Sequence, residues 1–322
     1  MPPRLKASAG AEALQQAQGR AQVELALALV ARDKDPRAVR AALEVLQAHP
    51  TREARPVLHT RFEHLAADGV KRDAGTYLRA AIVRALRPIA GPEDLPLLER
   101  AVSTYEWLPP RSEEASLLRS AGLVVLNDVD GRLAGFQAVR LLADEWTSRL
   151  SGEPALTAVG VLASLDHFDP LYYYALHQTQ PQSDVLSDCL RRLTGLPEAL
   201  VRGLTERHGA TRDEVVLVGL LDLLLEHPDA AFAPDWVRGW MAATELYAVY
   251  HYLVTKLAAT PVERWTAVLQ DQATRERRPR QLALLEEALG LARATPATQA
   301  ALAAVQQRRR NPAAFHDEDD DA

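Results

Sequence analysis

The chain has 322 residues, 37 basic against 43 acidic, with 48% hydrophobic residues, only 6% aromatic ones and a single cysteine. A charged fraction of 25% among so many aliphatics excludes a disordered chain, and one cysteine, Cys189, excludes an internal disulfide and a cysteine-based zinc site. The opening MPPRLKASAGAEALQQAQGR has no apolar core of signal-peptide length, and no stretch approaches ~20 uncharged apolar residues, so a soluble cytoplasmic protein without a membrane span is expected.

In chain order, residues 1–35 read as a leader and an N-terminal cap helix, Ala11 to Ala31, with Leu25 and Leu29 facing inward. Val39 to Leu46 then forms an apolar helical stripe, followed by the break His49-Pro50 and a second helix carrying Pro56, Val57 and Leu58. The clearest copy comes next. Leu78, Ala81, Ile82, Ala85, Leu86 and Ile89 follow the i, i+3, i+4, i+7, i+8, i+11 spacing of one helix face. Gly91 is expected to end that helix in the left-handed conformation and Pro92 to open the next, Glu93 to Val102. Leu118 to Leu126 repeats the stripe, with Asp130-Gly131 as its break.

Looser copies follow. Leu156 to Leu165 leads into a turn at Asp166 to Asp169, with Asp169 as the expected N-cap before Pro170 and Leu171. Val185 to Leu193 precedes the turn Gly195-Leu196-Pro197, and Val215 to Leu225 precedes His227-Pro228 and a helix from Ala233 to Ala243. Leu246 to Ala258 pairs with Val262 to Gln272, and Gln281 to Ala292 pairs with Ala297 to Arg309 across Thr295-Pro296.

Two-helix units at a spacing near 40 residues, spanning residues 36–310, resemble HEAT repeats. The resemblance rests on the aliphatic stripe, the Pro or Gly break, and an arginine beside the first stripe residue at Arg40, Arg79 and Arg119. It implies an all-α fold, a right-handed α-solenoid of about eight HEAT-like hairpins whose second helices line a concave groove, and no particular activity. Each hairpin would shield its neighbour's apolar stripe, so truncating a stripe residue such as Leu86 should cost about 2–5 kcal/mol.

The net charge of −6 comes largely from the five acids Asp317 to Asp321 within the tail 311–322, which is expected to be disordered. The near-balanced body argues against a protein built mainly to grip nucleic-acid backbones. That tail is a candidate competitor for the groove, which deletion of residues 313–322 would test by a change in ligand affinity.

No nucleotide-binding, metalloprotease or nucleophile-elbow motif occurs. His59 and His64 lie off the register that puts two ligands on one helix face, and the turn from Asp166 to Asp169 reads as a cap. Cys189 on an inner stripe reads as a small buried hydrophobe. Neither catalytic residues nor a cofactor nor a metal are expected.

The few aromatics cluster. Tyr172, Tyr173, Tyr174 and His177 open one second helix, Trp236 and Trp240 share a face of another, and Tyr247, Tyr250, His251 and Tyr252 follow. Second helices also carry Arg55, Arg61, Arg100, Arg140, Arg202, Arg238 and Arg264, which would make a basic strip if aligned, although neighbouring acids favour a solvated face with local ion pairs. The candidate groove residues are therefore Tyr173, His177, Arg202, Trp236, Arg238, Trp240, Tyr250 and Arg264.

The expected function is a non-catalytic scaffold or adaptor that holds a protein or peptide segment. The alternative is a nucleic-acid-binding protein similar to the bacterial HEAT-like alkylpurine DNA glycosylases, which pair a groove tryptophan with a catalytic aspartate one helical turn away. Here Asp235 adjoins Trp236 and Asp144 lies two before Trp146, spacings that do not share a helix face. HEAT-like chromophore-attachment lyases share only the repeat.

Overall fold

Aspartate and proline set several of the helix starts. Asp35 accepts a hydrogen bond from the Arg37 amide at 2.9 Å just before Pro36, and Asp213 accepts from the amides of Val215 and Val216. Asp130 accepts from the Leu133 amide, which turns the predicted break at Asp130-Gly131 into the cap of a new helix. The computed structural model describes residues 9–110, 112–260 and 262–310. The acidic tail and the first eight residues of the leader lie outside them.

Among the described residues there are nineteen α-helices and one two-stranded hairpin, so the fold is all-α. The chain divides into two units, residues 1–170 and 171–322, with the boundary in the first turn of one helix.

The first unit contains α1 (Ala9–Gln16), α2 (Gly19–Arg32), α3 (Pro36–Ala48), α4 (Ala54–Ala66), the short α5 (Gly69–Arg72), α6 (Tyr77–Leu86), α7 (Leu95–Val102), β1 (Trp107–Leu108), β2 (Ser112–Glu113), α8 (Ser116–Val129), α9 (Gly131–Leu142) and α10 (Ala155–Ser164). Helices α3, α6, α8 and α10 pack each on the next, while α4 lies on α6, α7 on α8, and α9 on α8 and α10. The predicted stripes are the surfaces buried. Ala38, Val39, Ala42, Leu43 and Leu46 of α3 are solvent-inaccessible, as are Leu118, Leu123, Val125 and Leu126 of α8.

Four local expectations are corrected. The N-terminal cap is two helices, with Gly19 at φ +56° between them, and α2 buries Ala26 and Val30 while Leu25 and Leu29 are half-exposed. Gly91 is extended at φ −152°, because two 3-10 turns, Arg87–Ile89 and Pro92–Asp94, close the break with tight i→i+3 bonds. Asp169 is no N-cap, since its helix already starts at Phe168 and places it in the first turn. The connection from α7 to α8 forms the antiparallel hairpin β1–β2, with Trp107 opposite Glu113.

The second unit contains α11 (Phe168–His177), whose first residues precede the boundary, then α12 (Ser183–Arg192), α13 (Glu198–His208), α14 (Glu214–Glu226), α15 (Ala233–Ala243), α16 (Tyr247–Ala259), α17 (Glu263–Arg275), α18 (Pro279–Leu291) and α19 (Pro296–Arg310). Helices α12, α14, α16 and α18 pack in succession, as do α15, α17 and α19. The fully buried Trp265 donates from Nε1 to the Leu225 carbonyl at 3.0 Å.

Within this core Asp222 accepts hydrogen bonds from Lys256 and Tyr252 and one from Arg191 at 2.8 Å. Burial alone would raise its pKa, but these donors outweigh burial and hold the carboxyl below its usual range. A carboxylate depressed in the folded state stabilises above its unfolded pKa and loses that contribution as pH falls toward the folded value. Urea midpoints should therefore fall as pH drops below ~4. Asp222→Asn should be less stable than wild type at pH 7 and show a flatter acid limb. Parallel acid limbs in the two proteins would contradict this account.

No helix of the described residues is long and apolar enough to cross a membrane.

Candidate functional site

The second-helix arginines are mostly engaged with backbone. Arg61 on α4 donates to the Asp33 carbonyl at the end of α2, and Arg140 on α9 donates to the Val102 carbonyl at the end of α7, each at 2.9 Å. Arg264 donates to the carbonyls of His227 and Pro228 just past α14, and Arg278 to those of Met241 and Thr244 at the end of α15. Arg308 reaches Ala273 near the end of α17, and Arg207 reaches Gln178 just past α11. The intervals are 28 to 38 residues. Helix C-termini leave carbonyls unpaired and carry partial negative charge, so an arginine one hairpin away satisfies both. Arg55 does the same in the forward direction, to Ile89. Arg100 pairs with Glu63. These side chains hold neighbouring hairpins together and do not form an unpaired basic strip.

The candidate residues of the second unit fall into two groups. Tyr173 is 67% exposed and lies 4.7 Å, ring to ring, from the exposed His177. On the adjoining helices, Arg202 pairs with Glu198 and stacks 4.2 Å over Phe232, and Trp236 packs against Gly209 at the end of α13. Arg238 pairs with Asp235 and Asp271, and Trp240 is half-buried. Arg264 is committed to its two carbonyls. Tyr250 is corrected outright: its side chain is solvent-inaccessible, with its hydroxyl on Glu276 and Gln272. Helix α16 turns that residue toward the core while Tyr247, three positions earlier, stays exposed.

A more developed surface lies in the first unit, around the hairpin. Its base is Arg119, which is fully buried and forks onto Glu113 with two bonds of 2.8 Å. The same guanidinium donates to the Thr104 carbonyl at 3.0 Å, lies 3.2 Å from the Asp144 carboxylate, and stacks 4.1 Å over the Tyr105 ring. The Tyr105 hydroxyl donates to Asp144 at 3.0 Å and accepts from Arg140 at 2.8 Å. Burial first, and then the Asp144 charge, raise the Tyr105 pKa, so the hydroxyl stays protonated.

A second buried arginine flanks the hairpin. Arg79 pairs with Asp73 at 3.0 Å and with both oxygens of Glu106 at 2.6 and 2.7 Å. Gly69 makes room for this pair, because a Cβ there would fall on the Glu106 carboxylate. Of the three arginines in the repeating pattern, only Arg40 remains on the surface, 3.7 Å from Glu44.

On this paired base stand two indoles. Trp107 from β1 and Trp146 from the loop after α9 meet edge to face, centroids 4.4 Å apart at 86°. They are 43% and 41% exposed. The Trp146 amide donates to Asp144 and its carbonyl receives Arg119, so the buried network fixes its backbone. Phe136, 67% exposed, lies one turn before Arg140 on α9, beside the exposed Val139. Edge-to-face indoles on a fixed base have the composition of an interaction hot spot, and α9 adds the exposed Phe136 to the same unit.

Sequence reasoning had noted Asp144, Trp146, Arg119 and Arg140 separately and missed Trp107 and Phe136. The available signal was Trp107-Leu108-Pro109-Pro110, an aromatic beside a proline turn within an unusually acidic connection.

The other chemical candidates are engaged elsewhere. His59 meets Asp94 at 2.6 Å, and Cys189 is fully buried, with its thiol pKa pushed up by burial. Among the described residues no group of three or more His, Cys, Asp or Glu side chains is placed to hold a metal ion.

No protein-family model matches the chain. No curated protein matches it significantly either.

Proposed function

We propose that the chain is a HEAT-like helical-hairpin protein that acts as a non-catalytic adaptor in the cytoplasm, binding a protein partner through exposed aromatic side chains. The observation that carries this reading is the Trp107–Trp146 pair, solvent-exposed yet held on a buried network of ion pairs and hydrogen bonds around Arg119. Large apolar rings presented on a fixed support lose little entropy on binding, which is why they anchor interfaces. The arginine-to-carbonyl contacts at 28 to 38 residues support the repeat reading, since one physical contact recurs from hairpin to hairpin. The groove residues that remain exposed in the second unit, Tyr173 and His177 above all, are a second contact area in this proposal.

The nucleic-acid alternative draws less from the geometry. Asp144 is bound by Arg119, Tyr105 and the Trp146 amide. Most second-helix arginines are capped onto carbonyls or paired with acids.

The test is capture of partners on the immobilised chain, identification of the retained protein by mass spectrometry, and measurement of its affinity for variants. Trp107→Ala with Trp146→Ala should weaken binding at least about tenfold with folding intact by circular dichroism, and Tyr173→Ala with Trp240→Ala should weaken it less. Retention of nothing specific, or equal affinity of the wild type and the double tryptophan variant, would remove the proposal.

A further inference from the structure

A cleft of about 540 Å³ opens in the first unit between the end of α2 and one face of α4. Its walls divide by chemistry. Ala31, Pro56 and Val57 form an apolar side, and Arg32, Lys34, Arg61 and His64 supply the polar one together with Thr60. Among the described residues that line it there is no carboxylate.

Elsewhere in the unit many basic side chains face acids. There Arg20, Arg40, Arg55, Lys71, Arg79, Arg87, Arg100 and Arg119 each have a carboxylate within ion-pair distance. In the cleft, Arg61 uses one nitrogen on the Asp33 carbonyl, and burial first of all lowers its pKa despite the nearby charges of Asp33 and Asp73. Among the described residues Arg32 and Lys34 meet no acid within ion-pair distance, and both are exposed at the mouth. Arg72 approaches from α5, donating to the His64 carbonyl at 2.6 Å, and brings a further positive charge to the same end of α4.

We propose that this cleft is a binding site for a small organic oxyanion, a phosphate or carboxylate attached to an apolar or aromatic body. The anionic group sits among Arg32, Lys34 and Arg61, and the body lies on Pro56, Val57 and Ala31. Guanidinium forks suit either oxyanion with paired donors, and the lysine adds a point charge. A cleft of this size holds a ligand larger than a bare ion. The site is independent of the tryptophan surface and does not rest on the adaptor reading.

Calorimetry on the full chain with phenyl phosphate, benzoate, inorganic phosphate and phenol tests it. Phenyl phosphate or benzoate should bind more tightly than inorganic phosphate and phenol, and the tighter of the two names the anion. Arg32→Glu combined with Lys34→Glu should weaken that binding at least about tenfold. Both residues are exposed and unpaired, so the fold tolerates the change. Arg61→Gln should weaken binding too, but it also uncaps α2, so the surface pair is the deciding variant. Arg132→Glu, an exposed reversal on α9, should leave affinity unchanged. Absence of binding at about 10 mM ligand, or an equal loss in Arg132→Glu, would overturn the proposal.

Discussion

Arg119→Ala should destabilise the first unit by about 3–5 kcal/mol, because it leaves Glu113 and Asp144 buried without their counter-charge. The two carboxylates are each only 3% exposed, so water cannot take over the role of the guanidinium. The cation is the part that must not be removed alone. Replacing the set together, with Arg119→Met, Glu113→Gln and Asp144→Asn, should recover much of the loss, since neutral groups carry a far smaller desolvation cost. Urea unfolding followed by fluorescence reports on this unit in a background carrying Trp236→Phe, Trp240→Phe and Trp265→Phe, which leaves Trp107 and Trp146 as the emitters. A loss below about 1 kcal/mol for Arg119→Ala would show that the cluster is hydrated and that the indoles lack a rigid base.

Gly219→Ala should destabilise the second unit by about 3 kcal/mol. Helix propensity alone predicts the opposite sign, a gain of about 1 kcal/mol for alanine over glycine in a helix interior. Packing decides. A Cβ at position 219 would lie 2.6 Å from the Ser187 carbonyl oxygen and 2.7 Å from its Cα. Backbone of α12 cannot swing aside as a flexible side chain does, so α12 and α14 would have to separate. Gly239→Ala on α15 is the control, because nothing lies within 4 Å of its Cβ position. It should gain stability. Thermal unfolding of both variants checks the pair, and a stabilised Gly219→Ala would mean that α12 and α14 are not in backbone contact.

The helices were legible because the stripes of α3, α6 and α8 keep a 3.6-residue period and their ends fall at Pro, Gly or Asp. Breaks were easier to place than to describe. Gly91 looked like a left-handed terminator, but the two 3-10 turns around it close the helix ends without that conformation. The hairpin at Trp107 was illegible for a different reason. Strands of two residues are too short to display alternation. Arg119 sits in a helical stripe at a position that reads as amphipathic surface, and what buries it, Glu113 of β2 and Asp144 of the loop after α9, comes from the connections on either side. Tyr250 shows the limit of composition. It belongs to an aromatic cluster that signals importance without direction, and only the packing of α16 turns it inward.

The arginine contacts between hairpins have a polarity. In six of the seven seen among the described residues, the donor comes later in the chain than the helix end it serves. Each such end therefore waits for its plug until the following stretch of polypeptide has been made, so a nascent chain leaving the ribosome carries one open terminus behind its growing front. Trimming from the carboxyl side reopens these termini in sequence, beginning with α17 once Arg308 is lost. Trimming from the amino side mostly strands long side chains, which water can readily solvate, and reopens only the Ile89 end that Arg55 serves.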